Sequence, residues 1–254
     1  MTIIVDSRRC GSGKTYDNHP DRVKDDRTGD ILSTYSRIKD AYDSSIKCLV
    51  VLPSIALCEQ YEIVLQEHIK NNFNGALKPK QHLSVLHSDK SSNNVQAELQ
   101  QALNDANNYI IVITQATFLN SEISNSYKEQ RYLIIDEAIE PYRELQYYHE
   151  KDCKVNFDWA ENSKMLEAPD SAVEWREVRF YNLRGNVMTD GSQVVRGMAN
   201  PNWRSRMLEE DYNKFTGVVE RAKRVSIIQE LKPEIFSHWM SVWVACANFE
   251  VTFM

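Results

Sequence analysis

Ser7-Arg8-Arg9-Cys10-Gly11-Ser12-Gly13-Lys14-Thr15 follows the apolar run Ile3-Ile4-Val5. That run is short and unbroken, as a buried strand is. A Gly-x-Gly-Lys-Thr turn between a strand and a helix is a phosphate cradle. Gly11 and Gly13 admit positive φ and close backbone approach, so successive N–H groups can face phosphate oxygens. The start of the following helix adds partial positive charge. Lys14 would reach the β- and γ-phosphates, and the Thr15 hydroxyl would ligate Mg²⁺. The expected nucleotide-binding residues are Arg9, Cys10, Gly11, Ser12, Gly13, Lys14, Thr15 and Tyr16, with ATP and Mg²⁺ as cofactors. The full pattern asks for Gly where Arg8 stands.

Working outward, apolar runs alternate with amphipathic stretches. Cys48-Leu49-Val50-Val51-Leu52 ends at Pro53, Tyr109-Ile110-Ile111-Val112-Ile113 at Thr114, and Tyr132-Leu133-Ile134-Ile135 at Asp136-Glu137. Leu83 to His87 is a shorter run. Between them, helices are expected from Asp30 to about Tyr42, from Ile55 to Lys70 and from Asn94 to Ala106. In the second of these, Leu57, Tyr61, Val64, Leu65 and Ile69 share one face. Such alternation predicts an α/β fold: a parallel sheet with helices on both faces. Ligands bind such sheets outside the carboxyl ends of the strands. There an Asp at a strand tip can hold Mg²⁺, and the adjacent Glu can deprotonate the attacking water. Thr15 and Asp136 are thus the expected metal ligands, and Lys14 and Glu137 the catalytic pair. His87 ends a strand at the same edge and is expected as a polar loop residue.

Past Tyr148 the pattern changes. Residues 1–148 read as the nucleotide-binding core, 149–232 as an α+β insertion of mixed short elements, and 233–254 as a helix and strand returning to the core. Glu209 to Lys223 is expected to be helical, Pro233 to open a helix through Trp239, and Val242 to Asn248 to be the returning strand. Arg176, Arg179, Arg184, Arg196, Arg204 and Arg206 interleave with Trp175, Phe180, Tyr181 and Trp203, a pattern able to stack on a single strand. Nearby Glu174, Glu177, Glu209 and Glu210 dilute that charge and favour an ordinary solvated insertion with aromatic core residues.

Composition narrows the class. With 254 residues, one large domain or two small ones are expected. A net charge of −6 excludes a generally nucleic-acid-coating surface but leaves room for a local groove. No apolar run approaches a membrane span, so no membrane partner is expected. The five cysteines are scattered, with no Cys-x-x-Cys pair, which fits a reducing compartment and core packing rather than zinc. The cytoplasm is expected, or that of a host cell for a viral protein.

The motifs, taken together, resemble superfamily-two helicases of the DEAD/DEAH type. Residues 8–15 resemble motif I, and Asp136-Glu137-Ala138-Ile139 resembles motif II. Between them and in the same order, Pro53-Ser54-Ile55-Ala56-Leu57-Cys58-Glu59-Gln60 resembles motif Ia, and Val112 to Leu119 resembles the Thr-x-x-x-Leu segment. The resemblance covers about residues 2–148. It implies a RecA-like P-loop NTPase lobe that couples ATP hydrolysis to DNA or RNA, single-stranded or as a tailed duplex. It implies nucleic-acid contacts at Pro53, Ser54, Gln60, Thr114 and Gln115. It also implies that a second RecA-like lobe or a partner protein supplies an arginine finger, because motifs IV to VI do not follow. Arg8, Cys10 and Ile139 depart from the family pattern, and Ser-Ala-Thr of motif III is absent. Two other readings share this core: a packaging-terminase-like ATPase, which Arg8-Arg9 would suit, and a non-catalytic helicase-like module that binds a partner protein.

Overall fold

A computed structural model describes residues 3–6, 34–72, 82–91, 94–148, 166–167, 175–180, 197–216 and 224–245. The chain divides into two compact units, Met1–Ile139 with Phe236–Met254, and Glu140–Ile235.

The first unit holds six strands, β1 (Ile3–Asp6), β2 (Lys47–Leu52), β3 (Leu83–Leu86), β4 (Ile110–Thr114), β5 (Arg131–Ile135) and β11 (Ser241–Ala245). All pair in parallel, in the order β1-β11-β5-β2-β4-β3. Among the described residues five helices accompany them: α1 (Thr34–Asp43), α2 (Ile55–Asn72), α3 (Val95–Asn104), α4 (Gln115–Asn120) and α5 (Asn125–Lys128). The parallel sheet flanked by helices is the fold that the alternating pattern predicts. Its central strands are apolar at nearly every position because helices cover both faces, and β4 is buried throughout. On one face Ile38 and Ala41 of α1 and Cys58, Tyr61, Leu65 and Ile69 of α2 pack with Cys48, Val50, Ile134 and Trp243. Each such fully buried aliphatic side chain contributes about 1.5–3 kcal/mol. The Asn94 side chain caps α3, accepting from the N–H groups of Gln96 (3.0 Å) and Ala97 (3.3 Å).

The second unit is a five-stranded antiparallel sheet, ordered β6-β10-β9-β8-β7. Its strands are β6 (Tyr142–Tyr148), β7 (Leu166–Glu167), β8 (Trp175–Phe180), β9 (Trp203–Leu208) and β10 (Arg224–Leu231). A helix, α6 (Glu209–Thr216), follows β9. Tyr142–Tyr148, grouped with the core in the sequence reading, pairs with β10 instead. One face of β10 is buried through Val225, Ile227, Gln229 and Leu231. Trp203, Ser205 and Met207 of β9 lie on the same side, by their register with β10. The opposite face is laced with charge. Arg206 meets Glu230 at 3.4 Å, Arg204 meets Glu230 at 3.6 Å and Glu177 at 3.8 Å, and Arg224 meets Glu144 at 3.7 Å. Arg204 and Arg206 therefore belong to a solvated, ion-paired face, and Trp203 belongs to the core. The segment opened by Pro233 is a single 3₁₀ turn, Pro233–Phe236, rather than a helix running to Trp239.

Candidate nucleotide and nucleic-acid edge

The strand register fixes which residues share the carboxyl edge of the parallel sheet. Asp6 pairs with Ala245, Val244 with Ile135, Ile135 with Val51, and Leu52 with Thr114. Asp136, Pro53 and Gln115, each one residue past its strand's last ladder position, thus emerge from the neighbouring strands β5, β2 and β4. Leu86 of β3 pairs with Ile113, which puts His87 level with Thr114. β1 delivers the chain to the same edge at Asp6. The nucleotide residues Arg9, Cys10, Gly11, Ser12, Gly13, Lys14, Thr15 and Tyr16 lie outside the described residues.

Asp136 is held from two sides. Its N–H donates to Val51 O at 3.0 Å, and its carboxylate Oδ1 accepts from the Thr34 hydroxyl. Thr34 opens α1 and is fully buried, whereas Asp136 is half-buried. One oriented carboxylate at a strand tip suits Mg²⁺, which takes one or two carboxylates and completes its shell with water and phosphate oxygens. Among the described residues no trio of His, Cys, Asp or Glu forms an all-protein metal cage. Glu137 is exposed, and its carbonyl accepts from Gln115 Nε2 at 2.9 Å. That bond ties the end of β4 to the end of β5, across the strand between them.

The other expected contact residues divide by what their side chains already do. Ser54 Oγ accepts from Leu57 N–H at 3.3 Å, capping α2. Thr114 Oγ1 accepts from Thr117 N–H at 3.2 Å, capping α4. Both hydroxyls shape their helix starts, and Ser54 remains exposed beside exposed Pro53. Gln60 is exposed in the second turn of α2. At this edge Thr34 escaped the sequence reading, and His87 is buried where a polar loop residue was expected. Thr34 lies 102 positions from Asp136, with no local signal of the pairing. His87 is not a solvated loop residue: it is 1% exposed, and neither ring nitrogen has a hydrogen-bond partner. Its carbonyl accepts from the N–H groups of Lys90 (3.1 Å) and Ser91 (3.0 Å).

The two described cysteines offer no nucleophile. Burial pushes the Cys48 thiol up to about 12 and the Cys58 thiol up to about 11, so both stay protonated. No described helix is long and apolar enough to cross a membrane.

The family model of the DEAD/DEAH box helicases matches residues 29–164, more than half of the chain. The protein belongs to the DEAD/DEAH box helicase family. The matched stretch runs from just before α1 through Asp136-Glu137 and into the second unit, and begins after Gly11-Ser12-Gly13-Lys14-Thr15. No curated protein matches this DEAD/DEAH helicase chain. Among solved structures, that of S. tokodaii Xpd4 is similar at 9% identity, with 97% of this chain covered and a TM-score of 0.37. A likeness that slight carries no argument. The chain spans about half the length of that structure, 53%.

Proposed function

We propose that this chain is the ATP-binding motor lobe of a DNA or RNA helicase or translocase, in which ATP hydrolysis is coupled to binding a nucleic-acid strand. The observation that carries this is the single carboxyl edge shared by Asp136-Glu137, Pro53-Ser54 and Thr114-Gln115, to which β1 brings the chain immediately before Gly11-Ser12-Gly13-Lys14-Thr15. ATP with Mg²⁺ supplies the phosphoryl group and part of the charge neutralisation when bound. Lys14 would neutralise the β- and γ-phosphates, and Thr15 and Asp136 would hold the metal. Glu137, exposed and next to the metal carboxylate, is placed to take the proton of the attacking water. Gln115 links the two activities, because its amide grips the Glu137 carbonyl while its helix start faces the same edge. Pro53, Ser54, Gln60, Thr114 and Gln115 would line the path of the strand. A second RecA-like lobe or partner protein would add an arginine finger, worth about 10³–10⁵ in rate in other NTPases. Nucleotide binding is therefore the sharper assay for this chain. Titration calorimetry should show Mg-ATP binding that Lys14→Ala abolishes while the far-ultraviolet circular dichroism is kept. Undiminished affinity in the folded variant refutes the phosphate-loop assignment. Turnover that single-stranded DNA or RNA stimulates would support the coupling.

A further inference from the structure

The second sheet holds an arginine whose charge no carboxylate answers among the described residues. Arg143 of β6 is opposite Gln229 of β10, which is opposite Ser205 of β9, in one row across the buried face. Arg143 Nε donates to Gln229 Oε1 at 2.8 Å, and the guanidinium lies 4.1 Å from the centroid of the Trp203 ring. Gln229 is fully buried and its amide nitrogen donates to Ser205 Oγ at 2.6 Å and Gly197 O at 2.9 Å. With both of those donors engaged, its oxygen must face the arginine. The guanidinium is thus fixed by a stacked ring on one side and an oriented amide at one edge.

What it lacks is an anion. Among the described residues no carboxylate pairs with it, and burial pulls its pKa below the ordinary arginine value. Of the five N–H donors of a guanidinium, only the one on Nε meets an acceptor among the described residues. The Trp203 indole N–H beside it is also buried without an acceptor. The arginines of the opposite face differ: Arg204, Arg206 and Arg224 each meet a glutamate. A partly desolvated, unpaired cation is costly, and removing that cost is what an anion would do here. The free fork matches two oxygens of a phosphate. β6 is the edge strand of its sheet and Arg143 is half-buried, so a ligand can approach from that side.

We propose that Arg143 is a phosphate-binding residue that takes a phosphodiester of the nucleic-acid strand, in a different unit from the nucleotide edge. The identity of the strand rests on the motor reading above; the anion site does not. The test is fluorescence anisotropy of the full chain with labelled thymidine and uridine homopolymers at several salt concentrations, without ATP. Arg143→Gln should weaken binding about tenfold and lower the slope of log K against log salt by about one unit. Arg206→Gln, on the ion-paired face, should change neither. Arg143→Lys keeps the charge and loses the fork, so it should retain the slope and lose a few-fold in affinity. It serves as the informative variant if Arg143→Gln melts early. Excess inorganic phosphate that displaces the strand from the parent, and not from Arg143→Lys, would identify the phosphate group itself as the ligand. Parent-like affinity and slope in both Arg143 variants overturns the proposal. A parent that binds Mg-ATP but neither homopolymer overturns it too, together with the nucleic-acid half of the motor reading. Arg143-dependent strand binding in a chain that fails to bind ATP would leave this site standing and sink the phosphate loop.

Discussion

Thr34→Val removes one hydroxyl and almost no volume, and it tests how Asp136 is held. Thr34 is fully buried, and its hydroxyl donates to the Asp136 carboxylate. A hydrogen bond to a charged acceptor contributes about 1.5–3 kcal/mol. Asp136 is half-buried and keeps its backbone bond to Val51, so water can replace part of the loss. Valine fills the same space, so no cavity cost is added. The expected destabilisation is about 1.5 kcal/mol, or about 3–6 °C in melting temperature for a protein of this size. The specific readout is a double-mutant cycle with Asp136→Ala, whose coupling should be about 1 kcal/mol in chemical unfolding. In the motor reading, the half-saturating Mg²⁺ for ATP turnover should also rise about tenfold, as when the partner of a metal ligand is lost. Single-variant effects that simply add, with unchanged melting for Thr34→Val, would show that the hydroxyl does not hold the carboxylate.

Glu137→Gln keeps size and hydrogen bonding but removes the base, so Mg-ATP affinity should stay within about twofold while strand-stimulated turnover falls at least a hundredfold; equal turnover in variant and parent would remove Glu137 from the chemistry. Stability should also respond to pH through His82, which is 5% exposed and stacks on Tyr109 at 5.3 Å. Burial lowers its pKa below the ordinary histidine value, against the opposing pull of Asp105. The unfolded chain therefore takes up the proton first as pH falls below about 6.5, and folding stability drops. His82→Phe, which keeps an aromatic stack, should flatten the loss of melting temperature between about pH 7 and pH 5; parallel curves for parent and variant would refute the role.

The parallel sheet was legible because its strands are buried on both faces. Cys48–Leu52 and Ile110–Ile113 are continuous apolar runs, and no other placement of them is cheap. The antiparallel sheet was not, for a physical reason. A strand buried on one face announces itself by alternation, and here the inward positions are not all apolar. Arg143, Gln229 and Ser205 point inward in one hydrogen-bonded row, which breaks the period in three neighbouring strands. Val225, Ile227 and Leu231 kept it around Gln229, so β10 was readable only to an eye that let one buried amide pass. The 3₁₀ turn at Pro233 kept the helical signature of a proline start without the length. At the carboxyl edge, Asp136-Glu137 and Thr114-Gln115 were found from their place after apolar runs. Thr34 was not, because its partner is set by the fold and not by spacing.

The strand order has a consequence for the making of the protein. β11, which comes from residues Ser241–Ala245, is an interior strand, inserted between β1 and β5. Among the described strands β1 has no other neighbour. On the ribosome β1 must therefore wait for β11 through the synthesis of the whole antiparallel unit. Only then does its described partner emerge. The long-range pairing is slow to form and leaves apolar edges of β1 and β5 open meanwhile. The nascent chain thus carries Asp136-Glu137 long before the strand that joins β1 to β5 is made, and the described sheet is complete only once Ser241–Ala245 has been synthesised.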